Sequence, residues 1–259
     1  MHGKKEFGKK ELIQEEEYLF PYHYIPRLEK GVFSQFMNLN WGFEYLSAME
    51  YLLNLLEKQR FESLVDAGCG DGRFCSEASR RFPGKRILGI DVSSRAVSIA
   101  GALNPGLEFI SCDITDTASA STKSLEGSFD MAVSVEVLEH IKPEECEKFL
   151  LHVSKLIKSG GRLLLTVPTV NTPLQEKHYR HFTLEILKGL VEPYFEIESV
   201  FYLNKISWFA NLLRKLMTNR VFIINSPLLR KWFYRRYCRK NLAAESGNGK
   251  RIVILSIKK

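Results

Sequence analysis

The chain has 259 residues, 45 % of them hydrophobic, which is enough apolar material for one large core or two small ones. Its formal net charge of +7 excludes a strongly acidic chain and directs attention to where the cations cluster. No run of about 18 apolar residues occurs, so no membrane-spanning helix is expected.

The basic start, Met1 to Lys10, leads into Glu-rich sequence rather than an apolar run, so no signal peptide is expected. Residues 1–17 are charged and expected to fray. The stretch from Glu17 to Pro26 is dense in aromatics and holds two prolines, which excludes a helix interior; Tyr22 and His23 are candidates for a pocket wall. Residues 41–59 have an amphipathic helical period, with Leu46, Met49, Leu53 and Leu56 on one stripe. From Phe61 onward, strands and helices alternate. A strand from Ser63 runs to Asp66, and a helix runs from about Gly72 to Phe82, where Pro83-Gly84 breaks it. The second strand, from Arg86, ends at Asp91, and Ser93 or Ser94 caps a helix to about Leu103. The third strand, Leu107 to Ser111, ends near Asp113. Residues 114–127 are weakly patterned and are read as a loop or one short helix. A fourth strand, Phe129 to Val135, is followed by a helix from Pro143 to Lys158, a Gly160-Gly161 break, and a fifth strand, Arg162 to Val167. A polar loop covers 169–182, Thr183 caps a helix to about Glu192, Phe195 to Tyr202 reads as strand six, and Arg251 to Ile257 as the last strand. The strands are apolar on both faces, as in a parallel sheet covered by helices. Five scattered cysteines without C-x-x-C spacing fit reduced thiols in a cytoplasmic protein rather than a disulfide framework or zinc ribbon.

The chain is organised around Asp66-Ala67-Gly68-Cys69-Gly70-Asp71-Gly72-Arg73-Phe74, a strand end, a glycine loop and a helix start. A dinucleotide fingerprint requires its third glycine where Arg73 stands, and no Gly-Lys-Ser/Thr follows for a phosphate loop. An acid just before the loop repels a pyrophosphate and suits a ligand with a cationic end. This stretch resembles motif I of the class I S-adenosylmethionine-dependent methyltransferases, and the resemblance covers residues 61–203 and 251–257. It implies an α/β, Rossmann-like, seven-stranded sheet with an antiparallel last strand. Around that sheet it leaves an N-terminal cap over 1–60 and a helical insertion at about 204–249 within a 61–259 methyltransferase domain. Where the family joins its last two strands by a short loop, this chain inserts about 48 residues. The cofactor implied is S-adenosyl-L-methionine, held by Asp66, Gly68, Cys69, Gly70 and Gly72. Asp91, at the end of the second strand with Val92 beside it, would accept from the ribose hydroxyls. Asp113 and Ile114 take the adenine position, and Ser134, Val135 and Glu136 close the far side.

Glu136-Val137-Leu138-Glu139-His140-Ile141 and His178-Tyr179-Arg180-His181-Phe182-Thr183 resemble segments of the subgroup that includes quinone-precursor O-methyltransferases. There they face the sulfonium, which makes His140, then His178 and His181, candidates for the general base. Glu136, Glu139 and His140 also share the i, i+3, i+4 spacing of one helical face, and with His178 they form a set able to hold a divalent metal. That set resembles the one in metal-dependent small-RNA methyltransferases. The expected activity is O-methylation of a small or lipid-linked acceptor, such as a quinone precursor or glycolipid sugar. A metal-dependent RNA methyltransferase and a non-enzymatic cofactor-binding module are the alternatives.

Asn204 to Glu245 carries ten Lys and Arg against one acid, more than the whole chain's net charge. Helices are expected over 206–218, with Ile206, Phe209, Leu213 and Leu216 as its apolar stripe, and from Pro227 to about Asn241. Aromatics interleave with the cations there, as in an interfacial membrane segment. The readings are docking on an anionic membrane through 206–240, a substrate lid, or a grip on RNA phosphates, with nucleic acid ranked last.

Overall fold

The computed structural model describes residues 8–19, 21–24, 28–29, 32–33, 42–116, 123–218, 221–222, 224 and 226–259. Eight strands form one mixed sheet: β1 Ser63–Ala67, β2 Arg86–Asp91, β3 Glu108–Ser111, β4 Phe129–Val135, β5 Ile157–Pro168, β6 Phe195–Lys205, β7 Ala243–Ala244 and β8 Gly249–Lys258. Their order across the sheet is β3-β2-β1-β4-β5-β8-β6-β7. The first five strands are parallel, and β8 runs antiparallel between β5 and β6. The chain leaves β1 toward one edge and returns at β4 toward the other. The carboxyl ends of β1 and β4 therefore open a crevice, the place where open α/β sheets hold ligands. The expected seven strands become eight because Leu203 and Tyr202 of β6 pair with Ala243 and Ala244 of the insertion.

Among the described residues the α-helices are α1 Lys9–Glu17, α2 Gly42–Leu56, α3 Arg73–Arg81, α4 Ser94–Leu103, α5 Cys146–Leu156, α6 Leu184–Val191, α7 Trp208–Thr218 and α8 Pro227–Tyr237. One face of the sheet is covered by α2, α3 and α7, and the expected stripe of α2, Leu46, Met49, Leu53 and Leu56, is fully inside. The other face is covered by α5 and α6 through Phe149, Leu150, Val153, Leu187 and Val191. Ser93 caps α4 by accepting from the Ala96 amide at 3.0 Å, and Thr183 caps α6 by accepting from Ile186 at 3.3 Å. All five cysteines are free thiols.

Three expectations of local structure are corrected. First, Lys9–Glu17 is a helix rather than a frayed end. Second, the helix before β5 stops at Leu156, and the strand begins at Ile157 and runs through Gly160-Gly161. Gly160 has φ +73°, and a Cβ on Gly161 would sit 2.7 Å from the Asp130 carbonyl, so the glycines let β5 pass close to β4 at a register shift. Third, α7 keeps Leu213 buried and Phe209 packed on the core as expected, but Ala210 and Met217 share the buried face, and Ile206 precedes the helix and is exposed. Residues 117–122, Arg220 and the side chain of Tyr22 lie outside the described residues.

Asp130 ties the start of β1 to β4. Its Oδ2 accepts from the amides of Glu62 and Ser63 and the Ser63 hydroxyl, and its Oδ1 from Lys158 at 2.7 Å. Burial raises the carboxyl, but the Lys158 ammonium and these donors together hold it down at about 2. Its folded value lies below the ordinary one, so its stabilisation is present above about pH 4 and is lost as pH falls toward 2. Asp130→Ala is expected to cost about 1–3 kcal/mol by leaving several donors unmatched, read from denaturant midpoints at neutral pH.

Candidate active site

A cavity of about 640 Å³ opens at the carboxyl edge of β1, β2 and β4. Its floor is the 68–72 loop, where Gly68, Gly70 and Gly72 have φ of +87°, +53° and +78°. Only glycine takes three such turns without strain. A Cβ on Gly68 would also lie 2.5 Å from Val137 Cγ2. The Gly68 and Cys69 amides donate to the Ile90 carbonyl, which fixes the loop to the end of β2.

Asp91 completes this part. Its Oδ2 accepts from the Gly70 amide at 2.8 Å and its Oδ1 from the Ser93 amide at 2.9 Å, so the carboxylate orients the glycine loop and the α4 start together. Asp113 Oδ1 accepts from the Thr115 amide and hydroxyl at 2.9 and 2.7 Å, and Ile114 packs beside it. Asp66, Gly68, Cys69, Gly70, Val92, Val135 and Glu136 also line the cavity with these acids. Ser134 and Gly72 are not among the lining residues. The Ser134 hydroxyl donates to the Ala67 carbonyl behind the wall, and a Cβ on Gly72 would meet Ala100 and Phe109. Their places are structural: one stitches β4 to β1, the other lets α3 pass close to α4.

Two acids at the floor differ in surroundings. Burial pushes Asp66 up to about 7, the Asp91 charge adds to this, and the Cys75 thiol donating at 3.3 Å opposes it. Its folded value exceeds the ordinary carboxylate value, so its contribution to stability is complete below about pH 4 and is lost as pH rises through about 7. Asp66→Asn is expected to flatten the fall in Tm of the ligand-free protein between about pH 5 and pH 8, checked by thermal melts across that window. Asp71 is buried as well; its Oδ2 lies 3.0 Å from His23 Nδ1, and its Oδ1 has no hydrogen-bond donor within reach. His23 lines the cavity and packs against Tyr45 at 5.5 Å.

The opposite wall is built from the turn after β4 and the loop before α6. Glu136 takes a left-handed backbone, φ +55°, a strained conformation for a residue with a side chain. It is held there from two sides. Its Oε1 accepts from the Thr166 hydroxyl at 2.9 Å, and its Oε2 pairs with Arg251 Nε at 3.2 Å. Arg251 in turn donates to Asn204 Oδ1 at 2.6 Å, and the Asn204 amide donates to the Tyr237 hydroxyl at 2.9 Å. The kink turns the chain so that Glu139 and His140 enter the cavity. Glu139 is fully buried, and burial with the Glu136 charge raises its carboxyl far above the ordinary range; its Oε2 meets no donor.

His140 and His178 stack edge to face with ring centroids 4.7 Å apart. Burial lowers both to about 3, each helped by a neighbouring imidazole. One ligand atom from each of Glu139, His140 and His178 lies within 4.8 Å of the others. His181 stands behind His178 and does not line the cavity. Its Nδ1 lies 3.1 Å from the Thr172 carbonyl, which can only accept, so that nitrogen carries the proton. Its Nε2 lies 2.8 Å from His178 Nδ1, so in the tautomer where His178 Nδ1 donates to it, His178 Nε2 keeps a lone pair, and His178 itself lines the cavity.

A methyltransferase-domain family model matches residues 41–211, from before α2 into α7. The chain belongs to this family. Among curated relatives, the trans-aconitate 2-methyltransferase of Deinococcus radiodurans is 30 % identical over 44 % of this chain and 41 % of that enzyme. The ubiquinone biosynthesis O-methyltransferase of Nitrosococcus oceani is 32 % identical over 40 % of this chain and 42 % of that one. The chain spans about half the length of the curated relatives it matches, or less. Among solved structures, a geranyl diphosphate C-methyltransferase from Streptomyces coelicolor superposes with a TM-score of 0.57 at 16 % identity, over 83 % of this chain and 76 % of that one. A TehB-like S-adenosylmethionine-dependent methyltransferase from Corynebacterium glutamicum gives 0.52 at 18 % identity, over 82 % and 88 %. At these identities the likeness is one of fold.

S-adenosylmethionine is the cofactor of such methyltransferases, and the residues at the floor fit it. The glycine loop has no side chains to bar a close approach, Asp91 stands at the next strand end, and Asp71 aims a buried oxygen without a donor at the cavity. Over this methyltransferase floor lies α1. Lys10 donates to the His178 and Glu176 carbonyls, Tyr179 to Glu11, and Lys177 pairs with Glu17 at 2.6 Å. Tyr18 follows α1 and closes over Gly70. Asp71, Arg73 and α1 were not singled out from the sequence. The signal for Asp71 was present, an acid inside the glycine loop; α1 gave none, because Lys9–Glu17 buries no side chain.

Proposed function

We propose that the protein transfers a methyl group from S-adenosylmethionine to a hydroxyl oxygen of a small or lipid-linked acceptor, such as a quinone precursor or glycolipid sugar. The observation that carries this reading is the cluster of Glu139, His140 and His178 on the cavity wall, with His178 Nδ1 braced by His181 and His181 by Thr172. When bound, the cofactor supplies an electrophilic methyl on a sulfonium. Asp91 accepts from the ribose hydroxyls, Asp113 and Ile114 frame the adenine, and Asp66 and Asp71 face the cationic end. His140 and His178 are held neutral by burial, so each keeps a nitrogen lone pair that can accept the acceptor's proton. The glycine loop and the Glu136 kink fix the cavity before the acceptor enters, and positioning of this kind supplies much of the acceleration in such a displacement. The O-methyltransferase named among the relatives supports the choice of oxygen.

A second reading is favoured by the same three side chains. Glu139, His140 and His178 would hold a divalent cation, which would polarise an acceptor oxygen in place of a base. The neutral imidazoles are ready ligands, and the Glu139 carboxyl would give up its proton as the ion binds.

The test is transfer of labelled methyl into a fractionated extract, with lipid, RNA, protein and polar small-molecule fractions counted separately, with and without chelator. Label in the lipid or polar small-molecule fraction, on an oxygen, supports the proposal; loss of it with chelator selects the cation. Label confined to RNA overturns the acceptor class. Tight cofactor binding with no transfer to any fraction favours a binding module.

A further inference from the structure

The insertion folds as a helix pair whose inner and outer faces differ. Inside, Tyr234 and Tyr237 pack on Phe43 of α2 at 5.4 and 4.4 Å, and Leu213 and Met217 of α7 join the same core. The two helices run side by side in opposite directions: Arg236, near the end of α8, stacks over Phe209 at the start of α7, and Ser207 bonds Asn241. Outside, α7 presents Trp208 and Leu212, and α8 presents Leu228, Leu229 and Trp232. Trp208 is 77 % exposed, Leu228 81 % and Trp232 57 %. Helical spacing continues the α8 stripe into Arg235 and Arg236, and Arg239 and Lys240 follow in the π-helical turn Cys238–Leu242, all exposed.

We propose that this outward face of α7 and α8 docks the protein on an anionic lipid surface. The chemistry favours lipid over other polyanions. A nucleic acid would be gripped by the cations and could stack on the two indoles, but Leu212, Leu228 and Leu229 would gain nothing from phosphate. At a bilayer interface each part has its place: the leucines enter the acyl boundary, the indoles sit at headgroup level, and the guanidinium groups meet lipid phosphates. The surface is independent of the methyl-transfer reading, since none of these side chains lines the cavity.

The experiment uses the full chain and two vesicle types, phosphatidylcholine alone and phosphatidylcholine mixed with phosphatidylglycerol, in flotation assays. Binding is expected only to the mixed vesicles and to weaken with salt. Arg235→Gln with Arg239→Gln is expected to weaken it about 25-fold, at about fivefold per cation. Trp208→Ser with Leu228→Ser is expected to weaken it about tenfold or more through lost apolar burial. Each variant should keep the wild-type Tm and S-adenosylmethionine affinity, so a loss of folding or of the cofactor site is seen separately. Brominated acyl chains should quench the wild-type tryptophan fluorescence more than that of Trp208→Phe/Trp232→Phe. The proposal is overturned if neutral and mixed vesicles bind alike, if neither binds, if the serine variant binds as well as wild type, or if single-stranded RNA displaces the protein from the vesicles.

Discussion

Asp91→Ala is expected to weaken S-adenosylmethionine binding about 10²–10⁴-fold, the value of two hydrogen bonds to a carboxylate at about 1.5–3 kcal/mol each. The effect has two sources in the structure. The carboxylate stands at the β2 end, where a ribose would present its hydroxyls, and it holds the Gly70 and Ser93 amides that shape the loop floor. Asp91→Asn keeps one acceptor oxygen and should fall between wild type and alanine. Calorimetric titration with the cofactor, alongside thermal melts without it, separates binding from folding. Unchanged affinity in the alanine variant would remove Asp91 from the cofactor site.

His178→Ala is expected to lower kcat about 10²–10⁴-fold, the usual contribution of a positioned base, with cofactor affinity unchanged. His181→Ala should cost less, about tenfold, because it releases the tautomer of His178 without removing the ring that lines the cavity. The same variants distinguish base from metal. Added imidazole should restore part of the activity of His178→Ala if the ring acts as a base, whereas an excess of divalent cation should restore it if the ring is a ligand. Full activity in His178→Ala would leave His140 alone as the candidate.

That the residues proposed for the cofactor gather at one cavity was readable because strand ends are local features. Asp66, Asp91, Asp113 and Val135 each close an apolar run, and parallel strands bring such ends to one edge whatever lies between them. Ser134 was misplaced by that same logic: its neighbours face the cavity, but alternation along β4 turns its hydroxyl onto the Ala67 carbonyl. The N-terminal cap was expected from the resemblance, but the helix α1 within it could not be read at all. A helix as polar as Lys9–Glu17 has no apolar period, and its partners, the 176–179 loop and Arg95, are brought near only by the complete fold. The β5 start failed for a related reason, since Gly160-Gly161 signals a break unless the passing Asp130 carbonyl is known. That Ala210 and Met217 join Leu213 on the buried face of α7 follows from where α2 lies beneath it, a tertiary fact.

Asn204 has a backbone φ of +60°, and its amide joins the insertion to the cavity wall: Tyr237 of α8 on one side, then Arg251, then Glu136. The insertion is therefore not a portable cassette. A relative that lacks it would have to find another partner for the Asn204 amide and another brace for Arg251, or give up both residues. A graft of α7 and α8 onto such a relative would need Asn204 and Arg251 to travel with it. Excising the helices from this chain would loosen Glu136 at the far end of the spine, so a deletion would confound surface function with damage to the cavity. Divergence of the outward face, by contrast, is free of this constraint: Leu228 or Arg239 can change while the spine stays whole.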